Sequence, residues 1–145
     1  MRYILPILTS ILLMSCTTAK SELNGKSFNH IYLYYSAMNE YGKGGGNQQL
    51  VVTFDNNTVT LCNVYENTEA TEDGKYKTTR QLIDKYKASY RISSGIVTID
   101  SPIIPEAKIE GDSLIVPKIN ITIDGEDLSK LFDNALFEPY SENEQ

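Results

Sequence analysis

The chain has 145 residues, 41 % of them apolar, with 19 acidic and 13 basic side chains and a net charge of −6. That length supports one domain with a real core. The acidic balance argues against nucleic acid as a partner and against attraction of the whole domain to an anionic membrane surface.

In chain order the first element is an apolar run from Ile4 to Met14, interrupted only by Thr9 and Ser10 and preceded by Arg2. It is far shorter than the roughly 20 residues that cross a bilayer as a helix. A basic start, a short apolar stretch and a small residue before a break are the layout of a secretory signal, and Pro6 does not suit a packed helix. The run ends Leu13-Met14-Ser15-Cys16, which resembles the bacterial lipobox. That resemblance implies cleavage after residue 15, a diacylglycerol on the Cys16 thiol and an acyl chain such as palmitate on the new amino terminus. It also implies a place in the bacterial cell envelope, and Thr17 after the cysteine points by the same resemblance to the outer membrane. Two or more acyl chains hold a protein to a membrane stably where one does not.

With residues 1–15 removed, the remaining 130 residues carry −7. Cys16 and residues 17–22 (TTAKSE) read as the lipidated anchor and a short polar tether, which reaches about 20 Å when extended. Cys62 is then alone, so no intramolecular disulfide supports the fold. It is either a small half-buried hydrophobe or a thiol free to react.

From residue 23 to 137 the dominant period is two, the mark of half-buried strands. Strands are predicted at Phe28–Tyr35, Gln48–Phe54, Thr58–Tyr65, Tyr76–Ile83, Lys85–Ile92, Ile96–Asp100, Ala107–Glu110, Ser113–Val116 and over Ile119, Ile121 and Ile123. Turn residues at 55–57, 93–95, 110–112 and 124–125 separate them. About eight or nine short strands predict a mostly β fold, an antiparallel up-and-down barrel or a sandwich. The stripe Leu128, Leu131, Phe132, Ala135 and Leu136 falls at helical spacing and predicts a C-terminal amphipathic helix at about 126–137. Residues 138–145 read as a disordered polar tail.

Residues 23–28 (LNGKSF), 51–59 (VVTFDNNTV), 90–99 (YRISSGIVTI) and 108–116 (KIEGDSLIV) resemble the recurring hairpins of the lipocalin-like domains of small bacterial lipoproteins. The resemblance implies a barrel that binds a small hydrophobic ligand. That family commonly carries Gly-x-Trp on its first strand as a plug for the barrel base. Here Gly25-Lys26-Ser27 stands in that place and the chain has no Trp, which leaves Phe28 as the candidate plug. A weaker similarity, through LNGK and Cys62-Asn63, is to META-like envelope domains.

Residues that could carry chemistry are few. His30 is the only histidine, and a general base needs a nucleophile or an orienting partner within hydrogen-bond reach. One histidine and one free thiol fall short of the three or four ligands that zinc takes. The glycine-rich stretch at 42–49 (GKGGGNQQ) lacks the Lys-Ser/Thr of a phosphate loop and runs into a strand, so it reads as a flexible loop, a candidate lid. Glu66, Glu69, Glu72 and Asp73 lack the calcium-loop spacing. Lys75, Lys77, Arg80, Lys85, Lys87 and Arg91 follow them, either as cross-strand partners of those carboxylates or as a patch for an anionic lipid or an acidic partner. Tyr76, Tyr86 and Tyr90 are the candidate ligand or partner contacts, since a tyrosine offers an apolar body and a polar tip. No catalytic residue, metal or cofactor is assigned. The expected role is therefore a non-enzymatic envelope binding module for a small ligand or envelope component, with a protein-directed inhibitor or assembly accessory as the alternative.

Overall fold

Four long strands form one half of the molecule in the computed structural model, which describes residues 22–123 and 125–141. They are β1 (Ser27–Asn39), β2 (Gly42–Phe54), β3 (Thr58–Ala70) and β4 (Tyr76–Ser93). The other half is built from β5 (Ile96–Ile99), β6 (Glu106–Glu110) and β7 (Ser113–Lys118). After β7 come a two-residue hairpin of β8 (Thr122–Ile123) and β9 (Glu126–Asp127), a 3₁₀ turn (Ser129–Leu131) and β10 (Asp133–Pro139). Eight strands close into a barrel in the order β1-β10-β7-β6-β5-β4-β3-β2. All its neighbours are antiparallel, as short turns between consecutive strands require.

The predicted strands lie within these elements, apart from Asp100, which falls just past β5, with two larger differences. The segments at 76–83 and 85–92 are one continuous strand, β4. Of the alternating isoleucine segment only Thr122 and Ile123 form a strand. Ile119 is instead a fully buried anchor of the crossing before it.

The glycine-rich stretch is not a loop. Gly42 to Gln49 belong to β2 and pair in register with β1 from Ile31 to Asn39. A Cβ at Gly44 would stand 2.2 Å from the Thr68 carbonyl oxygen, and one at Gly46 would stand 2.1 Å from that of Glu66. Glycine therefore lets three strand backbones coil tightly around one another. Register shifts between Ile31 and Leu33 and between Asn63 and Val64 add to that coiling.

The predicted C-terminal helix is absent as well: between 126 and 137 the one helical stretch is the three-residue 3₁₀ turn, flanked by β9 and β10. The apolar stripe matched a helical period, yet Leu131 is 68 % exposed and Leu136 45 % exposed, whereas Ala135 and Phe137 point into the core. Closure of the barrel decides the conformation. β10 supplies the partner for β7 (Ala135 opposite Val116, Phe137 opposite Leu114) and for β1 (Asn29 opposite Glu138). Without it both strands would present open edges. The strand runs past the expected start of the tail to Pro139, and the Tyr140 amide donates to the Ser27 carbonyl at 2.9 Å. The Arg80 guanidinium lies 5.4 Å from the centre of the Tyr140 ring.

The base of the barrel, where β1 begins, is packed solid. Phe28 meets Phe54 edge to face at 6.0 Å, and Phe54 meets Tyr90 at 5.0 Å. The Tyr90 hydroxyl donates to the Asp55 carbonyl. Phe28 thus occupies the base position considered for it from sequence. Above the base the wall is incomplete. β1 pairs with β10 only at Phe28 and Asn29, and β4 with β5 only from Tyr90 to Ser93. From there β1–β4 continue as a curled four-stranded sheet, an extension of roughly 30 Å.

Candidate functional site

The side of the barrel opens where β4 and β5 part. The last paired residues are Tyr90 and Ile99, and the Asp100 amide still donates to the Ser89 carbonyl at 2.9 Å. Beyond it residues 100–105 turn away from β4. Two prolines, Pro102 and Pro105, keep this segment out of strand pairing. Asn120 pins it: its amide donates to the Ile103 carbonyl at 2.8 Å and its Nδ2 to the Pro102 carbonyl at 2.9 Å.

The gap is a cleft of about 360 Å³. Val52, Val59, Leu61, Ile99 and Ile104 form its floor, with Lys85, Tyr86 and Lys87 on the β4 side. A second chamber of about 250 Å³ continues upward and shares Leu61, Tyr86 and Ile103 with the first. Its lining is more polar, with Asn63, Asp84 and Asn120. Together the two chambers offer an apolar slot with a hydrogen-bonding end, the combination that fixes a small molecule in place and in orientation.

The polar end has a built support. The Tyr32 hydroxyl sits 2.7 Å from Asn63 Oδ1 and 2.9 Å from Gln48 Oε1. Asn63 is 3 % exposed, and a buried amide of this kind is costly unless it is bonded. Partial burial holds the Tyr32 phenol above its ordinary pKa; the Asn63 hydrogen bond lowers it and the Asp84 charge raises it further. The Tyr32 ring also packs edge to face on Phe132 at 5.5 Å. Higher on the same face, Tyr35 stacks on Tyr65 at 5.4 Å and its hydroxyl donates to Asn67 Oδ1 at 2.7 Å. Its pKa is pushed up to about 12, first by desolvation and then by Tyr65 and the Glu69 charge.

The three tyrosines singled out from sequence are not brought together. Tyr86 stands in the wall common to both chambers. Tyr90 is buried in the base, and Tyr76 is exposed at the far end of the extension. Cys16, with the expected signal peptide and most of the tether, lies outside the described residues.

His30 is structural in its surroundings: Nδ1 donates to the Leu136 carbonyl at 2.9 Å and the ring stacks on Phe137 at 5.4 Å. It lies opposite Leu50, whose β3 partner is Asn63. Cys62, one position before, projects from the other face. The acidic and basic stretches pair across strands, with Glu69 opposite Lys77 and Glu66 opposite Arg80, the latter at 3.6 Å. Among the described residues no group of three or more His, Cys, Asp or Glu converges on a metal-sized site.

Sequence reading missed Ile103, Ile104, Asn120 and Asp84. The usable signal was residues 101–105 (SPIIP): two isoleucines between prolines cannot join a ladder, so they must pack from a loop. Compared with family models, with characterised proteins and with solved structures, the chain matches none.

Proposed function

We propose that the chain is a lipid-anchored lipoprotein of the bacterial cell envelope, held at the outer membrane through Cys16, whose barrel binds a small and largely apolar ligand without transforming it. The observation that carries the reading is the lateral cleft, an apolar slot that continues into a more polar chamber lined by Asn63, Asp84 and Asn120. Its form differs from a central calyx, because aromatic side chains fill the base and access is through the wall between β4 and residues 100–105. The first described residues lie at that base, where the Gly25 amide donates to the Phe54 carbonyl at 2.8 Å. A short tether would set the base against the membrane and the extension away from it.

Binding is tested with the neutral fluorophore N-phenyl-1-naphthylamine and by native mass spectrometry of protein purified from cells. The expected result is saturable one-to-one enhancement that falls at least tenfold in Ala88→Trp, which fills the cleft from β4. Equal binding by wild type and by Ala88→Trp with an unchanged urea midpoint would sink the cleft as the site. Should that variant unfold, Tyr86→Ala serves instead and should shift the affinity at the mouth of the cleft.

The anchor is tested separately. Cys16→Ala should move the protein from the membrane fraction to the soluble fraction of the envelope. Retention of the variant with membranes contradicts the lipidation reading.

A further inference from the structure

Among the described residues the upper part of β4 is the longest open strand edge. Tyr76 to Lys87 are all exposed and pair only with β3, and among the described residues no strand pairs with them on the other side. An antiparallel strand with one neighbour leaves half of its backbone N–H and C=O groups facing outward, a template for a further strand. Two apolar side chains, Leu82 and Ile83, sit exposed in the middle of this edge.

The charges on the edge select what can pair there. Lys77, Arg80, Lys85 and Lys87 stand against Asp84 alone over these twelve residues, in a chain that is acidic overall. Arg80 is engaged by Glu66 and Tyr140, and Lys77 stands opposite Glu69, which leaves Lys85 and Lys87 for a partner. A second copy offering the same strand would bring like charges together, which is unfavourable for direct cross-strand neighbours. A membrane surface is disfavoured by place, because this edge climbs away from the base at which the described chain begins.

We propose that the outer edge of β4 docks an extended acidic segment of a partner protein, which adds to the extension as a fifth strand. Main-chain hydrogen bonds supply the affinity. The lysines choose acidic over neutral or basic segments, and they also guard the edge against self-association. The inference does not rest on the cleft holding a ligand, although the two share Lys85 to Lys87, so that a docked segment would border the cleft mouth.

The test uses the full chain in detergent micelles and a fluorescent peptide of alternating glutamate and valine. Two companions control for mechanism: the same peptide N-methylated at four consecutive backbone nitrogens, and a lysine–valine peptide. The acidic peptide should bind saturably and slow amide hydrogen exchange across residues 77–87. The N-methylated peptide should bind at least tenfold more weakly, and so should the acidic peptide to Lys85→Glu/Lys87→Glu. Four outcomes would each overturn the proposal. They are equal binding of the N-methylated peptide, protection that falls elsewhere, protection of 77–87 by phosphatidylglycerol vesicles in place of peptide, or its appearance on self-association alone.

Discussion

Replacing Phe54 by alanine lowers the stability of the domain by about 3–5 kcal/mol, the range for removing a buried aromatic side chain. Phe54 is 0 % exposed, carries the edge-to-face contacts to both Phe28 and Tyr90, and ends β2 at the base. The loss has two parts: the transfer free energy of the ring and the void left between two aromatic neighbours that strands β1 and β4 hold in place. A domain of this size has only about 5–15 kcal/mol in total, so the variant spends a measurable fraction of its time unfolded. Urea denaturation followed by far-ultraviolet circular dichroism measures the shift. Leu82→Ala, an exposed position on the extension, is the control and should change stability by no more than about 0.5 kcal/mol. A Phe54→Ala variant as stable as that control would mean that the base does not hold the barrel together.

Gly46→Ala is the second large effect, and its origin is different. The added methyl would meet the Glu66 carbonyl oxygen at 2.1 Å and the Tyr35 hydroxyl at 2.2 Å. The phenol can swing aside, but the carbonyl belongs to the paired strand and cannot move without disturbing the β2–β3 ladder. Overpacking of this kind costs about 1–3 kcal/mol. It also carries a spectroscopic signature. In the wild type desolvation and the neighbouring Tyr65 push the Tyr35 phenol up to about 12; displaced from Asn67 and Tyr65 it should titrate lower, toward the ordinary tyrosine value. Nuclear magnetic resonance of ¹³Cζ-labelled tyrosine against pH, with Tyr35 assigned apart from the nine other tyrosines, reads this. A loss of stability with no change in the tyrosine titration would show that Tyr35 was not seated over the glycine.

Much of the architecture was legible because one physical signal dominated it. In β2 and β3 the inward residues Leu50, Val52, Phe54, Val59 and Leu61 alternate with other side chains, and the turns between strands carry the residues that such turns need. The failures came where a local signal competed with closure. Leu128 to Leu136 matched a helical stripe, but the barrel needed a strand between β7 and β1, and residues 133–139 of that region supply it. The glycine run had turn composition, yet what glycine supplied was the absence of side chains between closely coiled strands. The cleft was the least legible feature. Its walls come from β4, from residues 100–105 and from Asn120, three segments with no common pattern in sequence. Only Tyr86 among the proposed contacts could be found in advance, since an exposed tyrosine inside a basic strand is visible in one dimension and the gap beside it is not.

The pairing of β1 with β10 also bears on how the protein is made. His30 and the Leu136 carbonyl that it bonds lie 106 positions apart, so the barrel joins the start of the domain to its end. Contacts of such separation form slowly, because the entropy of closing the loop is lost before the contact stabilises anything. A ribosome therefore releases nearly the whole domain before the last strand exists to complete the ring. On the route proposed above, in which the chain crosses a membrane unfolded before it is anchored, late closure would be an advantage: a nascent segment without its final strand has no finished barrel to unravel.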